Sequence, residues 1–255
     1  MTDLLADPWF YAVSVPAVAL VGLSKGGFGG AMALIGVPLM ALAMSPVRAA
    51  AIMLPILIVM DIVSLWTWRG QRDAATLRNM LPGALAGIGA GWLLAAVVTV
   101  AQVRLIVGVV ALLFVLRWAF LQVRRRAPVR RQSAAAGNFW GGVSGFTSFV
   151  AHAGGPPYQV YALGLGLPPG TFVGTSVVFF AAVNAVKLVP YFALGQFDAA
   201  NLTASLVLLP VAPVATLAGA YLVRRMKPDV FYPLMYCLML VVALKLIHDG
   251  LFPGA

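Results

Sequence analysis

The sequence predicts an all-α polytopic membrane protein, a single membrane domain over residues 1–255 built from two inverted repeats. Three observations point there. Hydrophobic residues make up 62% of the chain and charged residues 9%, against about 25% charged in an ordinary soluble domain. Apolar runs recur along the whole chain, and the basic residues fall mainly in the short connections between them. At about 20 apolar residues per helical crossing, 255 residues leave room for roughly seven to ten membrane segments and no separate soluble domain. Open strands cannot satisfy their backbone groups in lipid, and the runs lack the alternation of a membrane barrel.

The first run, residues 8–25, follows Asp3 and Asp7 without the basic stretch of a cleaved signal peptide, so it is expected to be retained. Further runs at 28–44, 47–68, 77–98 and 103–120 complete a first repeat over 8–120. A basic linker at 121–136 follows, carrying Arg124, Arg125, Arg126, Arg130 and Arg131, with Arg117 just before it. The second repeat, 137–250, holds runs at 137–151, 154–167, 170–194, 200–223 and 229–248. Pro82 and Pro210 each begin similar stretches, AGW at Ala90–Trp92 and AGAY at Ala218–Tyr221. GQRD at Gly70–Asp73 has a partner in GQFD at Gly195–Asp198, and Asp61 falls opposite Asn184.

Charge orients the repeats. Arg69, Arg72 and Arg78 mark the connection after the third run as cytoplasmic, while the matching second-half connection has no base and carries Asp198. Arg224, Arg225 and Lys227 place the next second-half connection inside, as is the linker. The two halves are therefore expected to be inverted, each crossing an odd number of times, with both termini on the outer, periplasmic side of a cell inner membrane. The net charge of +10 is absorbed by this pattern, and nucleic acid is not an expected partner. Cys237 alone supports neither a disulfide framework nor a cysteine metal site, and no cofactor or metal is expected.

The first two runs of each half crowd glycine, proline and hydroxyl residues into SKGGFGGAMALIGVP, Ser24–Pro38, and SGFTSFVAHAGGPP, Ser144–Pro157. Small residues there let helices approach closely. Their recurrence at matching places favours broken or short helix pairs, each followed by three transmembrane helices. Such breaks persist in a membrane only when buried in protein or lining a polar cavity. A helix starting after a break presents free N–H groups and a partial positive charge, which favour an anion. Run length leaves open whether each pair is a re-entrant hairpin or two short crossings.

Ionisable and polar groups inside apolar runs are the leading site candidates. Lys25 could add positive charge to an anion site or reach the interface on its flexible stem. Asp61 is the one acid well inside a predicted run, and the chain has no glutamate, so it is a candidate for a coupling proton or a lysine pair. His152 precedes the second glycine break and is the other proton candidate. Asn184 and Lys187 share a helix face. With them the candidate substrate site comprises Ser24, Lys25, Gly26, Gly27, Gly29, Gly30, Ser148, His152, Gly154, Gly155 and Thr175. The hydroxyls of Ser24, Ser144, Thr147, Ser148, Thr175 and Ser176 can donate to an oxyanion, but each alone is a weak candidate, because hydroxyls in helices often bond their own backbone. Arg48 suits an outer anchor or vestibule, and Trp9, Trp66, Trp68, Trp118 and Trp140 read as interfacial belt residues.

GVPL at Gly36–Leu39, the stretch His152–Phe180 with its GGPP break and the Gly174–Thr175 pair, and NAVKLVPYFALGQF at Asn184–Phe197 resemble the TauE/SafE family of membrane permeases over nearly the whole chain. The resemblance implies a secondary carrier exporting small sulfur-containing anions such as sulfite, sulfoacetate or other organosulfonates. It also implies that Gly154, Gly155, Thr175, Asn184 and Lys187 lie in the site neighbourhood. No GxxxxGK[ST] phosphate loop is present. The expected mechanism is alternating access, the anion held at midplane helix breaks while the halves rock. The alternatives are a passive anion channel, a carrier of another small carboxylate or oxyanion, and an intramembrane hydrolase using His152 with Ser148. The partners expected are the anion, the bilayer and a possible coupling proton.

Overall fold

The computed structural model describes residues 4–30, 33–94, 97–123, 129–193 and 198–252. Arg124, Arg125 and Arg126 of the linker and residues 195–197 of the GQFD stretch lie outside them. The described residues form helices α1 Pro8–Gly27, α2 Gly36–Met40, α3 Pro46–Thr67, α4 Ala74–Leu94 and α5 Val100–Val123 in the first half. The second half has α6 Ala134–Ala151, α7 Gly155–Ala162, α8 Pro169–Ala193, α9 Ala199–Leu208, α10 Val211–Arg224 and α11 Pro228–Leu251. No strand occurs among them. By length and composition α1, α3, α5, α8 and α11 can each cross a membrane, and α9 with α10 forms a sixth such unit bent by 45°.

Local chemistry starts these helices where they start. Asp7 and Ser45 accept from the amides of Trp9 and Arg48 at 2.9 and 3.3 Å, each with proline at the first helical position. Asp73, Ser133 and Asp198 cap α4, α6 and α9 in the same way. The run at 200–223 is not one helix. Pro210 removes an amide donor and its ring crowds the carbonyl of the preceding turn, so α9 ends and α10 begins there. Pro82, its counterpart in sequence, sits inside a continuous α4.

The glycine-rich pairs fold as hairpins with one long and one short leg. α1 has 20 residues, about 30 Å, but α2 has five and α7 eight, so the runs at 28–44 and 154–167 are not spanning helices. Trp9 Nε1 donates to Leu42 O at 3.3 Å, bringing the chain after α2 back beside the start of α1. Tyr161, late in α7, donates to Ser133 O at 3.1 Å beside the start of α6. Trp68 Nε1 donates to Gly26 O at 2.7 Å at the tip of the first hairpin. Gln132, at the base of the second, donates to Asp73 at 2.8 Å, five residues beyond Trp68. The tip of one hairpin and the base of the other therefore share one end of the bundle.

That end is also the basic one. Arg224 donates to Thr67 O and lies 5.3 Å from the Trp68 ring centroid, Arg69 lies 5.5 Å over Trp66, and Arg130 N–H donates to Gly164 O at 2.7 Å. Trp68 itself is 3% exposed and anchors the first hairpin, so it is not a lipid-facing belt residue. Trp9 and Trp66 are exposed, as a belt requires.

Pairing between the halves is reciprocal. α1 packs along α10 and α6 along α4, while α3 packs on α8 and α5 on α11. Both long hairpin legs approach their partners at backbone distance. A Cβ added at Gly26 would lie 1.8 Å from Thr216 O of α10, and one added at Gly145 would lie 2.1 Å from Ala84 O of α4.

Candidate functional site

The polar residues buried in the bundle form two linked clusters where the hairpin tips meet α3 and α8. In the first, Lys25 at the end of α1 forms an ion pair with Asp61 of α3, and Asn184 of α8 donates to the other carboxylate oxygen at 2.7 Å. Lys25, Asp61 and Asn184 are 6%, 4% and 4% exposed, so the carboxylate holds both its partners out of bulk water. A buried charge needs such pairing, since its desolvation is otherwise uncompensated.

The second cluster lies one turn further along α8. Lys187 donates to Ser148 O of α6 at 2.9 Å and lies 3.4 Å from His152 Nδ1. His152 Nε2 is bonded to Tyr191 Oη at 2.8 Å. α6 ends where His152 takes a left-handed conformation, φ 51°, which turns the chain toward Gly154, Gly155 and α7. Among the described residues no carboxylate lies within ion-pair distance of Lys187.

A cavity of about 40 Å³ separates the clusters, lined on its polar side by Lys25, Ser148, His152, Asn184, Lys187, Gly30 and the Gly154–Gly155 backbone. Met53, Leu57, Val37 and Phe180 form its apolar wall. A smaller space of about 10 Å³ adjoins it beside Lys25, Gly30 and Asp61. Two lysines thus line one buried cavity, while the single carboxylate, Asp61, is already paired with Lys25 and borders only the adjoining space, a balance that an anion completes. An ammonium carries three donors. Ser148 O takes one from Lys187 and His152 Nδ1 can take a second, leaving one for a ligand.

The remaining expected residues fall elsewhere. Thr175 is away from the cavity: its hydroxyl donates to Thr171 O at 2.6 Å and accepts from the Asp73 amide at 2.8 Å, fixing the start of α4 to α8. Gly26 and Gly27 press on the backbone of Thr216 and Gly219, so they serve the α1–α10 contact. Gly29, φ 57°, and Gly30, φ 75°, turn the chain out of α1. Ser24 accepts the Phe28 and Gly30 amides through its backbone carbonyl at that turn, at 2.8 and 3.1 Å. Hydroxyls of Ser144, Thr147 and Ser176 bond backbone carbonyls. Arg48 donates to Asn201 Oδ1 at 3.0 Å, tying α3 to α9.

The helix-end cradle is also smaller than expected. Pro156 and Pro157 have no N–H, and the Ala153 amide donates to Thr147 O at 3.0 Å, so α7 offers the cavity the Gly154 and Gly155 amides at most. α2 is a five-residue helix behind a 3-10 turn. Positive potential in the cavity comes from the lysines. Tyr191 is the residue sequence reading missed, although its spacing from Lys187 puts it on the same helix face. For the hydrolase alternative, His152 is bonded to Tyr191 and Lys187 rather than to the Ser148 hydroxyl.

The sulfite exporter TauE/SafE family matches the chain over residues 14–246, which includes both hairpins and both clusters. No curated protein and no solved structure matches it. A family match over nearly the whole length, on an all-helical bundle with at least five membrane-length helices, identifies the chain as a multi-pass membrane transporter of the TauE/SafE family.

Proposed function

We propose that the protein exports a small sulfur-containing oxyanion across a cell inner membrane as a secondary carrier, binding it in the cavity between the two lysine clusters. One observation carries the reading: Lys187, 1% exposed, lines the buried cavity and has no carboxylate partner among the described residues. Uncompensated positive charge at membrane depth is costly, and a bound anion offsets that cost. The volume narrows the class. A water molecule needs about 10–15 Å³ of such space, so about 40 Å³ suits sulfite, a sulfur with three oxygens, better than a longer sulfonate such as sulfoacetate.

Two inverted halves with both termini outside fit the reciprocal helix pairing and the gathering of basic connections at one end. An inside-negative potential favours anion efflux by about 2.3 kcal/mol per charge per 100 mV, so outward transport needs no ATP. Asp61, paired to both Lys25 and Asn184, is the candidate for a coupling proton.

Proteoliposomes loaded with labelled sulfite test this directly. The expected result is saturable efflux, accelerated by an interior-negative potential and stimulated by external sulfite. Sulfite and sulfonate release no faster than from empty liposomes would overturn the assignment, and single-channel conductance would replace the carrier with a channel.

A further inference from the structure

A second and larger cavity, about 470 Å³, opens at the basic end between the last turns of α5, the start of α11, residues 129–130 and the 3-10 turn after α7. Its floor is aromatic and apolar: Trp118 stacks on Tyr236 at 4.0 Å and 10°, beside Phe114 and Leu163. Its lining also carries two guanidinium groups, Arg117 and Arg130, against one carboxylate, Asp229. Neither arginine forms an ion pair among the described residues. The Arg130 backbone amide donates to Gly164 O at 2.7 Å, and its guanidinium lies 5.8 Å from the Phe114 ring centroid.

We infer that this cavity binds an anionic phospholipid, with the phosphate on Arg117 and Arg130 and the upper acyl chain on the Trp118–Tyr236 floor. The chemistry favours a lipid over a soluble phosphate. Guanidinium groups donate in a fork that matches phosphate oxygens, and the aromatic side chains that line the same cavity suit an acyl chain. The cavity also sits at the end of the bundle where basic connections collect, the level at which anionic headgroups attract arginine. The site has a route to the anion cavity. Its wall includes Leu163, Gly164 and Gly166, the stretch that follows α7, and the opposite end of α7 begins at Gly155 in the anion cavity. Lipid in this site braces the short leg of the second hairpin.

Native mass spectrometry of the purified full chain, supplied with phosphatidylglycerol or phosphatidylcholine, reads the inference. Phosphatidylglycerol is expected to remain as a discrete adduct and phosphatidylcholine to dissociate. The double variant Arg117→Gln/Arg130→Gln is expected to hold phosphatidylglycerol about thirtyfold more weakly. Arg72→Gln, at the same end but outside the cavity, is expected to hold it as the parent does. Equal retention in the double variant and the parent would overturn the proposal. So would displacement of the lipid by millimolar glycerol phosphate, which would make this a soluble-phosphate site. Thermal unfolding of the double variant in a neutral detergent checks that it folds; a parent-like transition with lost adducts supports the site, and lost adducts restored by Arg117→Lys/Arg130→Lys support it independently.

Discussion

Asn184 of α8 donates to Asp61 of α3 at 2.7 Å, linking the two halves through a carboxylate that already carries the ion pair with Lys25. The three residues form one unit, so changing one partner differs from changing two.

Asp61→Asn is expected to destabilise the protein by about 3–5 kcal/mol, because it strands the buried Lys25 charge. Lys25→Met/Asp61→Leu is expected to recover most of that loss, since an apolar pair of similar volume removes both desolvation costs. Thermal unfolding of the two variants in the same detergent compares them, and a double variant no more stable than Asp61→Asn would show that the ion pair is not what the site depends on.

Lys187→Met keeps the length and removes the amine. Lys187 has no carboxylate partner to strand among the described residues, so its unfolding temperature is expected to stay level or rise. Sulfite binding, followed by ligand-induced thermal shift, is expected to weaken at least about tenfold, the loss of one charge-assisted hydrogen bond. Parent-like sulfite affinity in this variant would remove Lys187 from the site.

Gly26→Ala and Gly89→Ala make a matched pair of helix glycines. A Cβ at Gly26 would meet Thr216 O at 1.8 Å, whereas one at Gly89 has nothing within 4 Å. The first is expected to cost about 3 kcal/mol by forcing α1 from α10, and the second to be neutral or to stabilise by about 0.5–1 kcal/mol. Equal unfolding midpoints for the two would contradict the close approach.

Gly30→Ala tests the turn rather than the packing. Its nearest neighbours, on Phe180, stand at 3.6 Å, an ordinary contact, but its φ is 75°. The expected cost is about 1–2 kcal/mol of left-handed strain, read as a lower unfolding temperature; an unchanged value would argue for a different conformation at the hairpin tip.

The helical bundle and most of the polar cluster could be read before any coordinates. Lys25, Asp61, His152, Asn184 and Lys187 stand out because a polar or ionisable group in an apolar run needs a partner, and all five border the same pair of adjoining cavities. What sequence could not separate was a glycine that breaks a helix from one that packs a helix. Gly30 does the first and Gly26 the second, four residues apart, and only the facing Thr216 backbone distinguishes them. Trp68 and Tyr191 were hidden for a related reason. An aromatic near the end of an apolar run looks the same whether it meets lipid or, as here, donates to Gly26 O or bonds His152. Thr175 was drawn to the site by its place in a motif, while its hydroxyl is spent on the backbone of two helices.

The backbone-close seams of α1 with α10 and α6 with α4 cut across chain order. Sliding the amino-terminal half over the carboxy-terminal half would shear both seams at once. A motion that spares them instead partitions the molecule into two mixed slabs, one holding α1 and α10, the other α4 and α6, with α3 and α8 between as the sliding plane. Labels that test for such a motion belong on α1 and α6, within different slabs, rather than at the connection between the two halves of the chain.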